Sequence, residues 1–248
     1  MSSQLGVPKS EFLDSVRRAL GRQSASQPDT PYPHLQESLP DLERQAQEIW
    51  SRVGSNQEEL LTRLAETAQL RGWNVHRTTD PEEAIVYISS VIAAHQAQQV
   101  VRSTQEVFDL IPVEQALHEA GVNVVAVAKD EQNTEQRLRQ EIIGSGVGIT
   151  GVDYAVAETG SVVVVPGPGL SRLVSLVPPV HIAIVRVQDV VESLDDVFLL
   201  RRLEYYRNGG DMGSYLNFIT GPSRTADIEQ TIVVGVHGPK EVHLILLG

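Results

Sequence analysis

From residue 73 onward, short apolar runs alternate with longer segments whose apolar residues recur every three or four positions. Short apolar runs are typical of buried strands, and the longer period is typical of helices that cover a sheet. The predicted strands are 73–77, 99–102 and 122–128, and the predicted helices are 80–95, 112–120 and 131–143. This strand–helix order indicates a parallel sheet with helices on its faces.

After residue 144 the rhythm changes to closely spaced strands and one long helix. The predicted strands are 161–165, 182–187, 215–220, 231–236 and 241–247, and the predicted helix is 193–207. Before these strands, the sequence predicts a loop or an irregular strand, because glycines recur there at Gly144, Gly146, Gly148 and Gly151. The expected fold class is α/β, with a mixed, mostly parallel sheet flanked by helices.

Residues 1–72 are predicted to form an N-terminal helical arm and a proline-rich linker, followed by the α/β domain at 73–248. Residues 9–20 have one apolar helical face, 23–40 are rich in proline, and 42–70 look helical with a break near Gly54. We expect these helices to serve packing or contacts between copies of the chain, so a homo-oligomer is one of the expected states.

The amino-acid composition is informative mainly because it excludes several classes of function and several kinds of site. The 248 residues are 41% hydrophobic, which is enough for a sizeable core, and the net charge of −12 disfavours binding to nucleic acid or to an anionic membrane. The sequence contains no cysteine, which rules out thiolate metal sites and cysteine nucleophiles within it. No apolar run reaches the roughly 20 residues of a membrane span, so we expect a cytoplasmic protein.

The segment 219–228 is the strongest candidate for a binding loop, because it follows an apolar strand and is rich in polar residues. Ligands of α/β sheets bind at the carboxyl ends of strands. Thr225 is expected to cap a short helix, and Ser223 with free backbone amides is expected to form an anion nest beside Arg224. An ordered turn in which Asp227 pairs with Arg224 would explain the loop without a ligand. Gly221 lies in the same loop.

A second candidate is the segment 150–160, which includes Thr150, Asp153, Glu158, Thr159 and Gly160. Glu158 precedes an apolar strand, and a carboxylate buried at a strand edge would have a raised pKa that suits a general base or nucleophile. The alternative is that Glu158 caps backbone amides or pairs with an arginine.

Arg172, His181 and His237 complete the candidate set. Arg172 follows a glycine- and proline-rich turn, so it could hold a carboxylate or phosphate with two hydrogen bonds, or it could pair with a nearby acidic residue. The histidines lie at strand ends, and their spacing matches no metal-binding motif, so no metal site is predicted. The glycines near residue 146 lack the dinucleotide-binding spacing.

Several motifs, in the same order, resemble the LUD-domain family. They lie at 149–151, 154–160, 172–176, 178–183, 219–229 and 235–239. The resemblance implies a fold like that of the superfamily containing glucosamine-phosphate isomerase, ribose-phosphate isomerase and CoA-transferases. It also implies a role in oxidising L-lactate to pyruvate beside partner proteins that carry iron–sulfur clusters, with no cofactor on this chain.

Two functional hypotheses follow, and the sequence does not decide whether the chain itself is an enzyme. In the leading one, the chain is a component of a lactate-oxidation system that binds a small carboxylate or phosphate. The expected cleft is lined by Thr150, Glu158, Arg172, Ser223, Arg224 and Asp227. In the alternative, it is a freestanding isomerase or acyl- or CoA-transfer enzyme that uses Glu158. A purely structural scaffold is a third reading.

Overall fold

The computed structural model describes residues 9–21, 37–128, 134–167, 171–213, 215–226 and 232–248. The chain divides into two compact units, residues 1–41 and residues 42–248. Helix α1 (Lys9–Ala19) lies in the first unit, and all strands described below lie in the second. None of the helices in these ranges is long and apolar enough to cross a membrane.

The longer helices among the others match the predicted ones, whereas the short helices at 107–110 and 173–176 were not predicted. They are α2 (Leu39–Ser55), α3 (Gln57–Arg71), α4 (Pro81–Ala94), α5 (Val107–Leu110), α6 (Val113–Glu119), α7 (Glu135–Ile143), α8 (Leu173–Leu176) and α9 (Leu194–Arg207). Asp80 caps α4 by accepting the Glu82 N–H at 2.9 Å, and Ser193 caps α9 by accepting the Asp196 N–H. Such side-chain caps satisfy backbone N–H groups that have no partner within the helix.

The strands among the described residues form three sheets. They are β1 (Asn74–Thr78), β2 (Gln99–Arg102), β3 (Asn123–Ala126), β4 (Val147–Gly151), β5 (Tyr154–Val156), β6 (Ser161–Val164), β7 (Val180–Arg186), β8 (Val190–Val191), β9 (Asn217–Ile219), β10 (Arg224–Ala226), β11 (Ile232–Val234) and β12 (Glu241–Leu247). The main sheet has the order β1-β12-β7-β4-β2-β3, and every pair in it is parallel. The α/β class and the parallel sheet are therefore confirmed.

In the part of the chain that the structure describes, antiparallel pairing is confined to the smaller sheets, β8-β5-β6-β9 and β10-β11. One face of the main sheet packs on α4, α5 and α6, while the other packs on α2, α3, α9 and the four-stranded sheet. Helices α2 and α3 bury Leu42, Ile49, Leu61 and Leu64 in that second core. The boundary expected between residues 72 and 73 stays a prediction, although these two helices share a core with the sheet.

The glycines after residue 144 predict a loop or an irregular strand, yet this segment contains a fully buried central strand, β4. Its glycines are required because neighbouring backbone comes close. A Cβ on Gly148 would lie 1.9 Å from the Val174 carbonyl oxygen, and one on Gly146 would lie 2.8 Å from Ala97 Cβ. Glycines in a sequence usually indicate the end of a helix or strand. Here they allow α8 and the α4–β2 connection to pack against the sheet.

Candidate functional site

The loop Thr220–Arg224 lies at the amino-terminal edge of the main sheet. The Ser223 N–H donates to the Pro239 carbonyl at 2.9 Å, and the Lys240 N–H donates to the Pro179 carbonyl at 2.8 Å, next to the first residues of β12 and β7. The prediction that this loop lies at a carboxyl end of the parallel sheet is wrong. The reason is that the preceding strand, β9, pairs with β6 in the four-stranded sheet.

The end of α3 holds this loop in place. A Cβ on Gly221, whose φ is +98°, would lie 2.2 Å from the Arg71 carbonyl oxygen. The Arg224 guanidinium donates to that same oxygen at 3.3 Å and lies against Gly72. Thr225 pairs with Val233 in the β10–β11 ribbon, so the predicted helix cap is wrong. Asp227, and with it the suggested ion pair to Arg224, lies outside the described residues.

The turn Thr159–Gly160 meets the same helix end. Gly160, with a φ of +66°, comes so close to α3 that a Cβ would lie 2.6 Å from the Ala68 nitrogen. The Thr159 hydroxyl donates to Ser161 Oγ at 2.8 Å, and Ser161 Oγ lies 2.7 Å from the Thr220 hydroxyl. This line of hydroxyls joins the turn to the binding-loop candidate.

Glu158 is exposed, so the expectation of a carboxylate buried at a strand edge is wrong. Its carboxylate accepts the Leu194 N–H at 3.4 Å, at the first residue of α9. A carboxylate in the first turn of a helix is favoured by the helix dipole. Among the described residues this contact matches the alternative in which Glu158 caps backbone amides, and its role as a catalytic base stays a prediction.

His181 forms the buried floor of the same sheet edge. Its Nε2 lies 2.9 Å from the Thr150 hydroxyl, and its ring is fully buried. Burial is the main cause that lowers the pKa of His181 to about 3, and the nearby His243 adds a smaller effect in the same direction. The ring is therefore neutral at physiological pH. Trp73, directly before β1, places its ring centroid 6.2 Å from that of His181.

Two buried polar atoms at this floor lack a hydrogen-bond partner within the described residues. They are the indole N–H of Trp73 and Nδ1 of His181. Buried polar atoms without partners are uncommon in folded proteins, so each calls for an explanation. A water or a small polar molecule beside each atom would satisfy it.

Helix α8 forms the neighbouring wall. Arg172 stands before it, exposed, with its guanidinium 4.8 Å from the centre of the Tyr215 ring. In the described ranges it makes no ion pair with Asp153 or Glu158, the pairing that the sequence left open. Asn217 of β9 donates to Ser175 Oγ of α8 at 3.3 Å, so β9 and α8 are held together.

His237 and Ser223 connect that wall to the loop. The backbone N–H of His237 donates to Ser223 Oγ at 3.3 Å, while its ring is exposed. A Cβ on Gly238 would lie 3.2 Å from Ser223 Cβ and 3.9 Å from the Leu176 carbonyl oxygen. The loop, α8 and the segment before β12 therefore meet at one edge.

Asp153 lies apart from this edge, beyond the carboxyl end of β4. Its carboxylate accepts the Val165 N–H at 2.7 Å, and burial raises its pKa. Next to it, the Tyr154 hydroxyl donates to Glu204, which also pairs with Arg201. Burial, and then this hydrogen bond to Glu204, raises the pKa of Tyr154. These contacts favour a structural network around Asp153.

We call the converging set the amino-edge site. It consists of Arg71–Trp73, Thr150, Thr159, Gly160, Ser161, Ser175, His181, Asn217, Thr220–Arg224 and His237, and Arg172 flanks it at the start of α8. Sequence reasoning missed Trp73 and the end of α3, because that helix was assigned to the arm. Two open clefts of about 550 and 340 Å³ lie elsewhere, along α3 and between α4 and α6.

Comparison with known proteins connects these motifs to a family. A model of the LUD domain matches residues 61–247. Lactate utilization protein C of Halalkalibacterium halodurans is 35% identical over 153 residues, which cover 61% of this chain and 64% of that protein. Lactate utilization protein B of Shouchella clausii is 26% identical over 249 residues, covering 82% of this chain and 51% of that protein. The chain thus matches about half of one relative's length and less than two thirds of the other's.

A solved structure supports the fold. The crystal structure of a DUF162 family protein from Deinococcus radiodurans superposes with a TM-score of 0.54 at 21% identity. The match covers 77% of this chain and 98% of that one. At this identity the similarity concerns the architecture alone.

Proposed function

We propose that this chain, which belongs to the LUD-domain family, is a component of a lactate-utilization system. The support is a family match over residues 61–247, together with relatives named lactate utilization proteins B and C. Because the chain spans only part of those relatives, their activity is transferred here as a proposal.

At the molecular level, the proposed role is binding of a small carboxylate or phosphate at the amino-edge site. The observation that carries this proposal is the meeting of the Thr220–Arg224 loop, α8 and the end of α3 at one sheet edge. Exposed Arg172 and Arg224 supply positive charge there, and Ser223 and Thr220 supply hydroxyls. Guanidinium groups suit planar carboxylates and phosphates because they donate two parallel hydrogen bonds.

The second part of the proposal concerns partners. The sequence has no cysteine, so it offers no thiolate ligands for an iron–sulfur cluster. Oxidation of lactate requires an electron acceptor, and in this proposal the iron–sulfur clusters that take the electrons sit on partner proteins. Co-purification of the tagged chain from cells grown on L-lactate tests this part. Iron and acid-labile sulfide in the captured complex are expected, and capture of the chain alone would contradict it.

The alternative, a freestanding isomerase or an acyl- or CoA-transfer enzyme, depends on Glu158. The exposed carboxylate at the start of α9 provides no geometric reason to prefer this enzyme, so it stays a prediction. Turnover of sugar phosphates or acyl-CoA esters by the purified chain, lost in Glu158→Gln, would establish it in place of the first proposal.

Growth on L-lactate as sole carbon source tests the function as a whole. A strain lacking the gene is expected to grow poorly on L-lactate and normally on glucose. The wild-type gene and Arg44→Ala should restore growth, because Arg44 is an exposed arginine on α2 that pairs with Glu48 at 2.9 Å. Arg224→Ala should restore it weakly or not at all. Unimpaired growth of the deletion strain would overturn the proposal.

A further inference from the structure

Three side chains that the sequence did not link come together on the face of the main sheet that packs on α4, α5 and α6. They are His95, directly after α4, and Glu241 and His243 at the start of β12. Because side chains alternate along a strand, Glu241 and His243 point to the same face. The adjacent Val242 points to the opposite face, in the core that α2 and α3 share. The cluster is thus separate from the amino-edge site.

The donor atoms of this cluster converge. Glu241 Oε1 lies 2.9 Å from His243 Nε2, and Glu241 Oε2 lies 3.2 Å from His95 Nε2. All three residues offer ligand atoms that lie within 4.8 Å of one another. Donors bound to one tetrahedral zinc ion, each about 2.0–2.1 Å from the metal, are roughly 3.4 Å apart. Small side-chain rotations would therefore bring these atoms around a single ion.

The surroundings of His243 orient it as a ligand. Its Nδ1 lies 2.9 Å from the Tyr87 hydroxyl, which leaves Nε2 directed at Glu241. Tyr87 is itself fixed by stacking on His76, with ring centroids 4.2 Å apart. Metal-binding histidines commonly have their second ring nitrogen hydrogen-bonded in this way. The Tyr87 hydroxyl can donate to Nδ1 in the metal-free ring or accept from it once Nε2 binds a metal.

Access and chemistry agree with this arrangement. The side chain of His243 is only 6% exposed, whereas those of His95 and Glu241 are 34% and 40% exposed. A cation can thus reach the cluster from solvent, and one coordination position would face water. Two imidazoles and one carboxylate form a donor set that suits borderline divalent ions such as Zn²⁺.

We propose that His95, Glu241 and His243 bind one divalent transition-metal ion of the zinc type, with water as the fourth ligand. The ion would tie the end of α4 to the start of β12. This site is independent of the proposed lactate-utilization role, so either proposal can fail alone.

Zinc titration of the untagged, chelator-treated full chain tests the site. Calorimetry is expected to show one Zn²⁺ per chain, and Co²⁺ is expected to give the visible absorption of a four-coordinate complex. His95→Gln and Glu241→Gln, both at accessible positions, should each weaken binding at least tenfold. His118→Gln, which changes an exposed histidine on α6, is the matched control and should bind like the wild type.

Circular dichroism would verify that each variant is folded. Absence of Zn²⁺ binding by the wild-type chain at micromolar concentration would overturn the proposal. So would unchanged affinity in His95→Gln and Glu241→Gln, because the ion would then be held by other histidines. Comparable affinity for Mg²⁺ would also contradict it, since hard cations prefer oxygen ligands.

Discussion

The hydroxyl of Thr150 lies 2.9 Å from Nε2 of His181 in the interior of the main sheet. Thr150 lies on β4 and His181 on β7, adjacent parallel strands, and both side chains are essentially inaccessible to solvent. His181 Nδ1 has no partner within the described residues, so this contact is the hydrogen bond that the ring makes there. A neutral imidazole is thereby fixed as the buried floor of the amino-edge site.

Removing the Thr150 hydroxyl should destabilise the fold. Thr150→Val keeps the shape but leaves the buried imidazole without its partner, which should cost about 1–3 kcal/mol in the free energy of unfolding. Thr150→Ser retains the hydroxyl and should cost less. Urea denaturation followed by circular dichroism measures both, and equal stability of Thr150→Val and the wild type would show that the hydrogen bond contributes nothing.

The lowered pKa of His181 predicts acid sensitivity. Its ring is neutral in the folded protein down to about pH 3, whereas in the unfolded chain it takes up a proton near pH 6.5. The unfolded state therefore binds more protons between these values, and stability falls as the pH falls through this window. From pH 6.5 to 5.0 this one group should remove roughly 1.5 kcal/mol.

Comparison of wild type with His181→Gln isolates that contribution. Urea unfolding at pH 6.5 and pH 5.0 should show a smaller loss of stability in the variant, since glutamine does not titrate. The other titrating groups are common to both proteins and cancel in the difference. An identical pH dependence in the two proteins would mean that His181 is protonated equally in the folded and unfolded states.

Gly221 should tolerate no side chain. Gly221→Ala combines a left-handed backbone with a Cβ 2.2 Å from the Arg71 carbonyl, whereas Gly209 has a φ of +66° and open space around it. Gly209→Ala should cost about 1 kcal/mol for the backbone alone. Gly221→Ala should cost roughly 1–3 kcal/mol more, because the loop must move away from α3. Thermal unfolding compares them, and equal losses would show that the close contact is relieved without cost.

Local sequence signals were sufficient where the structure depends on local interactions. Asp80 and Ser193 identify helix starts because each caps its own helix, and the apolar runs of β7 and β12 identify strands buried on both faces. The α/β class follows from the order of these elements.

Long-range pairing accounts for the errors. The glycines from Gly144 to Gly151 predict a loop or irregular strand, because only long-range packing explains them: Gly148 lies against α8, and a Cβ on Gly151 would lie 2.9 Å from Val107. The sequence predicts the wrong sheet edge for the Thr220–Arg224 loop, because nothing local shows that β9 pairs with β6. Glu158 was expected to be buried because its neighbours are apolar, yet the turn leaves it at the surface.

The His95–Glu241–His243 cluster shows the same limit. His95 and Glu241 lie far apart in the sequence, and only the packing of α4 beside β12 brings them to 3.2 Å. A pattern search detects ligands spaced within one helix or hairpin, and this pair has no such spacing. The sequence signal that was available is the pair Glu241 and His243, which lie two residues apart on one strand and therefore on the same face.

Anion binding at the amino-edge site is the central claim, and calorimetry on the purified chain tests it most directly. Inorganic phosphate, L-lactate and pyruvate would each be titrated into the wild type, Arg224→Ala and Arg44→Ala. We expect at least one of these anions to bind the wild type and Arg44→Ala equally, and to bind Arg224→Ala at least tenfold more weakly. No binding of any of them to the wild type, or equal binding to Arg224→Ala, would contradict the account.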